Sequence, residues 1–328
     1  MRVRLAPQSP MFLTVTLNAA IDKTLRVANL QIGRRHRCAP GDLQAGGKGI
    51  NVARALRALG QPVVATGLAG GRAGDMIVED LTSGGIVHQF VRILDESRSS
   101  TIVLDAAGTH MATEVVEYGP IVRTDELEAF ASAYSYLLGG TDAVVLAGSL
   151  PREVPEDWYS TALREARRQR VFTVLDSEGE PLRLGLSGEP DLVVPNQLEA
   201  EELVGFEFET TQDLVLALEQ IVEMGARGVV ITRDDGALAL VRESGKPLFV
   251  RATIPLLEVV SPVGAGDALL AGLLASRRAQ RPFAEALRYA VACGAASTQH
   301  EQPGMLDPRE VQRLSALVEV AALTPTEA

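Results

Sequence analysis

The chain has 328 residues, 46% of them hydrophobic, enough to bury a sizeable core. Its 42 acidic residues against 31 basic ones leave a net charge of −11, which excludes general binding to nucleic acid or to an anionic membrane surface; a small anionic substrate must meet a local cluster of cations instead. Cys38 and Cys293 are too few for a disulfide framework and have no metal-ligand spacing, so a reduced, cytoplasmic protein is expected.

Residues 1–10 are basic, but the apolar stretch after them runs into Asn18 and Asp22 without a small-residue cleavage pattern, so they do not read as a signal peptide, and Met11 is a second candidate start. No apolar run approaches the roughly 18–20 residues of a membrane span. Residues 23–38 and 91–116 alternate polar and apolar side chains, with Asp105-Ala106-Ala107-Gly108 as a turn. They predict a small β-sheet projecting from the body as a lid. Between and around them, 50–59 and 75–81 carry helical spacing.

From Asp142 onward the pattern changes. Short β-branched runs at 143–147, 171–175, 192–194 and 229–231 predict strands, and 156–168, 197–204 and 212–224 predict amphipathic helices between them. That alternation predicts a mainly parallel sheet with helices on both faces. The strands end in Gly148-Ser149, Asp176-Ser177, Pro195-Asn196 and Thr232, and in such sheets the strands' carboxyl ends line one crevice. Ordinary turn chemistry accounts for Ser177 and competes evenly for Ser149. Asp235-Gly236 reads as a hairpin turn, and residues 324–328 as a frayed end.

Two glycine-rich elements carry the chemistry. Val263-Gly264-Ala265-Gly266-Asp267 leads into an apolar helical run, so backbone N–H groups can face a phosphate while Asp267 accepts a proton. Ala45-Gly46-Gly47-Lys48-Gly49-Ile50-Asn51 precedes another helix but lacks the Walker spacing, so Lys48 suits a substrate anion or hydroxyl. Either element alone is compatible with a tight turn and a capped helix. The histidines at 36, 88, 110 and 300 have no zinc spacing; His88, His110 and His300 read as structural, and His36, between Arg35 and Arg37, needs no catalytic role.

In order along the chain, Thr16-Leu17-Asn18-Ala19-Ala20-Ile21-Asp22, Gly46-Gly47-Lys48-Gly49-Ile50-Asn51, Pro195-Asn196-Gln197-Leu198-Glu199 and Val263-Gly264-Ala265-Gly266-Asp267 resemble the motifs of the PfkB (ribokinase-like) carbohydrate kinases. The resemblance covers nearly the whole chain from Met11. It implies one α/β domain over 1–328, a ribokinase-like three-layer αβα sandwich with a mainly parallel central sheet and a small β-sheet lid. It also implies ATP and Mg²⁺. Asp267 would be the base, with the N–H groups of Gly264, Ala265, Gly266 and Asp267 itself stabilising the transferring phosphoryl group. Asp22, Gly47, Lys48 and Asn51 would bind the sugar. Asn196 and Glu199 would hold water and Mg²⁺ near the nucleotide, and Thr232 and Gly236 would line its site.

The opening motif and Thr113-Glu114-Val115-Val116-Glu117-Tyr118-Gly119-Pro120 resemble the branch of 1-phosphofructokinase and tagatose-6-phosphate kinase. There Arg98 falls where the branch holds the substrate's existing phosphate. Arg35 and Arg37 on the other lid segment would complete the cationic cluster, a role weighed against that of solvated charges. Two departures stand out: Val194 where the branch has lysine, and Arg233-Asp234 where the family has glycine after Thr232. The implied activity is phosphorylation of fructose 1-phosphate, with tagatose 6-phosphate or fructose 6-phosphate next. A catalytically weak sugar-phosphate or nucleotide sensor is the alternative outside enzymes. A homodimer formed through the lid is expected, with neither nucleic acid nor membrane as partner.

Overall fold

The computed structural model describes residues 11–105, 107 and 112–323. The readings at residues 1–10, at Ala106 and Gly108 of the turn, at His110 and at residues 324–328 lie outside them.

In chain order the first half contains β1 (Met11–Thr16), β2 (Ala20–Arg26), β3 (Asp42–Gly46), α1 (Lys48–Ala58), β4 (Val63–Gly70), α2 (Gly71–Ser83), β5 (Val87–Ile93), β6 (Arg98–Leu104), β7 (Ala112–Val116) and α3 (Thr124–Leu138). The second half continues with β8 (Thr141–Ala147), α4 (Trp158–Arg168), β9 (Phe172–Asp176), α5 (Gly179–Gly185), β10 (Leu192–Val193), α6 (Gln197–Val204), α7 (Thr211–Glu223), β11 (Val229–Arg233), β12 (Gly236–Glu243), β13 (Lys246–Thr253), α8 (Ala265–Arg278), α9 (Phe283–Ser297), α10 (Pro308–Ser315) and β14 (Glu319–Leu323).

The large sheet has the order β14-β13-β12-β11-β10-β9-β8-β1-β4-β5. Strands β5 to β11 in that row run parallel, and β12, β13 and β14 add antiparallel at one edge. Alternation along the buried strands splits the core into two layers. Phe12 of β1 and Ala143 and Val145 of β8 pack with α1, α2 and α8 to α10, whereas Leu13, Val15, Val144 and Leu146 pack with α3 to α7. This is the three-layer sandwich that the β/α alternation predicts. No helix among the described residues is long and apolar enough to cross a membrane.

The chain first adds strands on one side of β1 and then crosses to β8 on the other, so β1 and β8 flank the switch point at which such sheets bind ligands. The small sheet, β3-β2-β6-β7, stands over that point. Asp22 of β2 is in register with Gln44 of β3 and Ser100 of β6, and Ser100 with Val116 of β7, which puts these side chains on one face.

The lid differs from its predicted boundaries. Residues 91–93 belong to β5 in the large sheet, where Ile93 is buried, and residues 27–41 are irregular. That stretch is held by Asp105, which accepts the N–H groups of Asn29 and Leu30 at 2.8 and 2.7 Å. The lid's fourth strand is instead Asp42–Gly46, which pairs antiparallel with β2. The predicted hairpin turn moves by one residue: Arg233 pairs with Gly236, so Asp234 and Asp235 form the turn.

Candidate active site

The carboxyl ends of β1 and β8 to β11, the inner face of the lid and the start of α8 enclose a cleft of about 460 Å³. Its floor is built by two helix starts. At α8, Gly264 has φ +81 and lies so close to the 303–304 loop that a Cβ would sit 2.9 Å from Pro303 and 3.0 Å from Gly304 N. The tight turn explains the glycine. The first three N–H groups of a helix have no intrahelical partner. Pro262 O takes that of Ala265 at 3.2 Å, so Gly266 and Asp267 present the open donors together with the Gly264 turn. This revises the expectation that Ala265 contributes.

Asp267, in the first turn of α8, is 6% exposed and accepts a hydrogen bond from Asn51 Nδ2 at 2.9 Å. Burial and the neighbouring Asp176 raise its pKa from 3.8 to about 7, against Lys48 and Asn51, which hold it down. A carboxyl so poised accepts a proton near neutral pH.

At α1, Gly46 lets Asp22 close down, since a Cβ there would lie 1.9 Å from Asp22 Oδ2. Asp22 is 7% exposed, and burial lifts its pKa to about 6 although Arg98 opposes the shift. Lys48, the first residue of α1, does not stand free for an anion. Its Nζ donates to Asp176 Oδ1 at 2.9 Å and to Glu199 Oε1 at 2.8 Å. Burial alone would depress this ammonium, but the two carboxylates overcome it and raise its pKa. For Glu199 burial outweighs Lys48, and its pKa is raised.

Asn196 and Glu199 also form a capping box: Asn196 Oδ1 accepts Glu199 N–H at 2.9 Å and Glu199 Oε2 accepts Asn196 N–H at 2.8 Å. Both line the cleft, as does Thr232, which bridges to Asn196. Among the described residues no three His, Cys, Asp or Glu side chains gather into a metal cage. Asp176 and Glu199 sharing one ammonium suit a Mg²⁺ that arrives on nucleotide phosphates and keeps several waters.

On the lid, Arg98 donates from Nε to Asn18 O at 3.1 Å and turns toward the cleft without a salt bridge among the described residues. Burial lowers its pKa, opposed by Asp22. Glu114 and Val116 of β7 line the same wall.

Arg35 and Arg37 sit on the exposed 27–41 loop and do not line the cleft. Gly236 does not reach it either; its φ of +142 and a would-be Cβ contact of 2.1 Å with Ala252 O mark a close backbone approach within the sheet. Val194 lines the cleft, whereas Asp234 is exposed at its turn and Arg233 is paired to Asp235 at 3.1 Å rather than free to offset it. Histidines 36, 88 and 300 are outside the lining.

Sequence reasoning gave no role to Asp176 beyond a polar strand end, nor any to Arg54. The signal for Arg54 was its i+3 spacing from Asn51 on α1.

An α/β sheet with a buried carboxyl beside open N–H groups at a helix start fits the chemistry of phosphoryl transfer. The chain belongs to the pfkB family of carbohydrate kinases, whose model matches residues 15–308. Similar solved structures include a Thermotoga maritima protein described as a possible 1-phosphofructokinase, at 28% identity and TM-score 0.85, covering 96% of this chain and 100% of that one. Another is phosphofructokinase-2 from Escherichia coli in complex with substrates and products, at 27% identity and TM-score 0.85, covering 94% and 99%. Arabidopsis thaliana ribokinase, at 21% identity and TM-score 0.71 over 94% and 99%, shares the fold. The protein is thus a sugar kinase, a phosphotransferase with an alcohol acceptor and ATP as donor.

Proposed function

We propose that the enzyme phosphorylates a ketohexose monophosphate, with fructose 1-phosphate as acceptor and fructose 1,6-bisphosphate as product. The observation that carries this reading is the pairing, in one cleft, of a lid arginine without a salt bridge among the described residues, Arg98, with the buried carboxyl of Asp267. Arg98 takes the phosphate already on the sugar, and Asp22 accepts its hydroxyls. Asn51 and Gly47 orient the sugar, while Asp267 removes the proton of the hydroxyl that attacks the γ-phosphorus as ADP departs. The open N–H groups at the start of α8 face the charge that develops there.

Bound Mg²⁺ supplies charge neutralisation on the nucleotide phosphates, and Asp176 and Glu199 are the residues to hold it. Lys48 keeps that pair of carboxylates together beneath the phosphates. Leu43 and Val115, 50% and 64% exposed, stand on the lid face opposite Asp22 by register, an apolar surface for the lid of a second copy.

The test is an ADP-release screen over sugar phosphates and free sugars. Fructose 1-phosphate is expected to give the highest kcat/KM. Preference for fructose 6-phosphate or tagatose 6-phosphate replaces the acceptor, whereas preference for unphosphorylated sugars removes the role of Arg98.

A further inference from the structure

Arg54 is a charged residue with only 12% of its side chain exposed and no part in the chemistry so far. It lies one turn beyond Asn51 on α1. Nη2 donates to Ala45 O at 2.9 Å and to Asp80 Oδ2 of α2 at 3.1 Å; Nη1 donates to Asn51 Oδ1 at 3.3 Å and to Pro303 O at 3.4 Å. Asp80 Oδ2 also accepts the N–H of Ala45 at 3.0 Å, which anchors the guanidinium's own partner to the glycine loop. On its far side Asn51 donates Nδ2 to Asp267 Oδ2 at 2.9 Å. Asp80, Arg54, Asn51 and Asp267 thus form one chain of hydrogen bonds from α2 to the base.

We infer that Arg54 is a positioning residue: by holding the amide oxygen of Asn51, it keeps the Asn51 NH₂ group on Asp267 and so keeps the base ready to accept a proton. This rests on Asp267 acting as the base, as proposed above.

The two orientations of an asparagine amide have nearly the same shape, so the neighbours must choose between them. A guanidinium offers only donors and an ionised carboxylate only acceptors. An amide caught between the two has one compatible orientation, with oxygen toward Arg54 and nitrogen toward Asp267. Remove the guanidinium and that constraint goes. The flipped amide would then set an oxygen against the carboxylate and disfavour its ionised form.

The other groups facing Asp267 do not touch Arg54. Lys48 at the start of α1 pulls the carboxyl's pKa down, and Asp176 at the end of β9 and Glu199 on α6 push it up. Around Arg54 itself stand Asp80 and, on β2, Asp22. Losing the Asn51 donor therefore moves the Asp267 pKa in one direction, upward. Since catalysis uses the ionised form, the acid limb of the rate profile must move to higher pH.

The experiment measures kcat and KM of the full chain from pH 5.5 to 9 with the best acceptor of the screen, for wild type, Arg54→Met, Arg54→Lys and Asp80→Asn, with thermal unfolding in parallel. For Arg54→Met the acid limb of kcat/KM is expected to rise by about one pH unit, the scale of one hydrogen bond to a charged group, with turnover at pH 7 falling roughly fivefold as the ionised fraction of Asp267 drops. KM for ATP should stay within about twofold. Arg54→Lys, which still offers only donors, should recover part of the shift. If Arg54→Met does not fold, Asp80→Asn carries the test, since a less firmly held guanidinium should produce a smaller shift of the same sign. An acid limb that stays in place in every folded variant, even one with lowered stability, overturns the inference and leaves Arg54 as packing. Asp267→Asn separates the two ideas: retained turnover in that variant removes the base itself rather than its positioning.

Discussion

Replacing Asp267 by asparagine should harm catalysis and help the fold, and the two effects have one cause. The carboxyl is 6% exposed and its pKa rises from 3.8 to about 7, mainly because burial penalises the charged form. A shift of that size corresponds to a penalty of about 4 kcal/mol on the ionised side chain as an upper limit. Asparagine keeps the shape, and its Oδ1 can still accept from Asn51, so a gain of roughly 1–3 kcal/mol is expected at pH 8 after allowance for the neighbours' own adjustment. Because the folded-state pKa is raised, the wild-type penalty is absent below about pH 4, grows as pH rises and is complete above about pH 7. The variant's advantage should follow the same course. Turnover, in contrast, should fall by roughly a hundred- to ten-thousandfold, the range for a positioned general base. Urea unfolding at pH 4.5 and pH 8, with ADP release at pH 8, measures both. Turnover within tenfold of wild type would refute the assignment of the base, and a stability difference that does not change with pH would refute the buried-charge argument.

Arg98→Ala should weaken sugar-phosphate binding by roughly 1.5–3 kcal/mol and leave ATP affinity nearly unchanged; equal losses by calorimetry would mean that the lid arginine does not meet the sugar's phosphate. Lys48→Met leaves Asp176 and Glu199 buried without their cation, so it should destabilise the fold by about 3 kcal/mol at pH 8. That loss should shrink at acid pH as Glu199, whose pKa burial raises, protonates, and a pH-independent loss by chemical unfolding would argue for packing alone. Sedimentation should find a homodimer, and β2 and β6 should gain protection from hydrogen exchange when sugar phosphate binds. A monomer would remove the lid interface, and unchanged exchange at saturating sugar phosphate would remove lid closure.

Where local chemistry decides an element, the sequence reads well. Helix α6 starts and stops where predicted because Asn196 and Glu199 cap each other at one end and Gly205, with φ +82, closes the other. The buried parallel strands of the second half are legible to within two residues, since each is a short apolar run between turn residues, whereas β1 and the eight-residue, small-residue-rich β4 drew no strand reading. The lid is not, because its strands are short and their order depends on partners far away: β3 is only five residues long, and its pairing with β2 spans the irregular 27–41 loop. Residues 91–93 alternate like a lid strand yet lie at the large sheet's edge, where one side of a strand stays solvated. The same limit applies to the cleft. Lys48 reads as a free cation because its partners are 128 and 151 residues away. Arg54 drew no reading from the sequence, and only α2 and the 303 loop reveal that it is enclosed.

The distribution of charge in the cleft bears on how an acidic protein can meet the anionic donor ATP and, as proposed, a phosphorylated sugar. Asp22, Glu199 and Asp267 all have raised pKa values, so each resists ionisation. Lys48 offsets the pair on the floor, and Arg98 opposes Asp22 on the lid, which divides the cationic charge between the two ends of the cleft. Excess carboxylate remains near the floor, the end where ATP would bring a divalent cation with its phosphates. The acceptor end instead offers a guanidinium with open donors, suited to a phosphate that arrives without a metal. A net charge of −11 therefore sets the field far from the protein, while a few buried pairs set it inside the cleft, where the low dielectric makes each of them count for more.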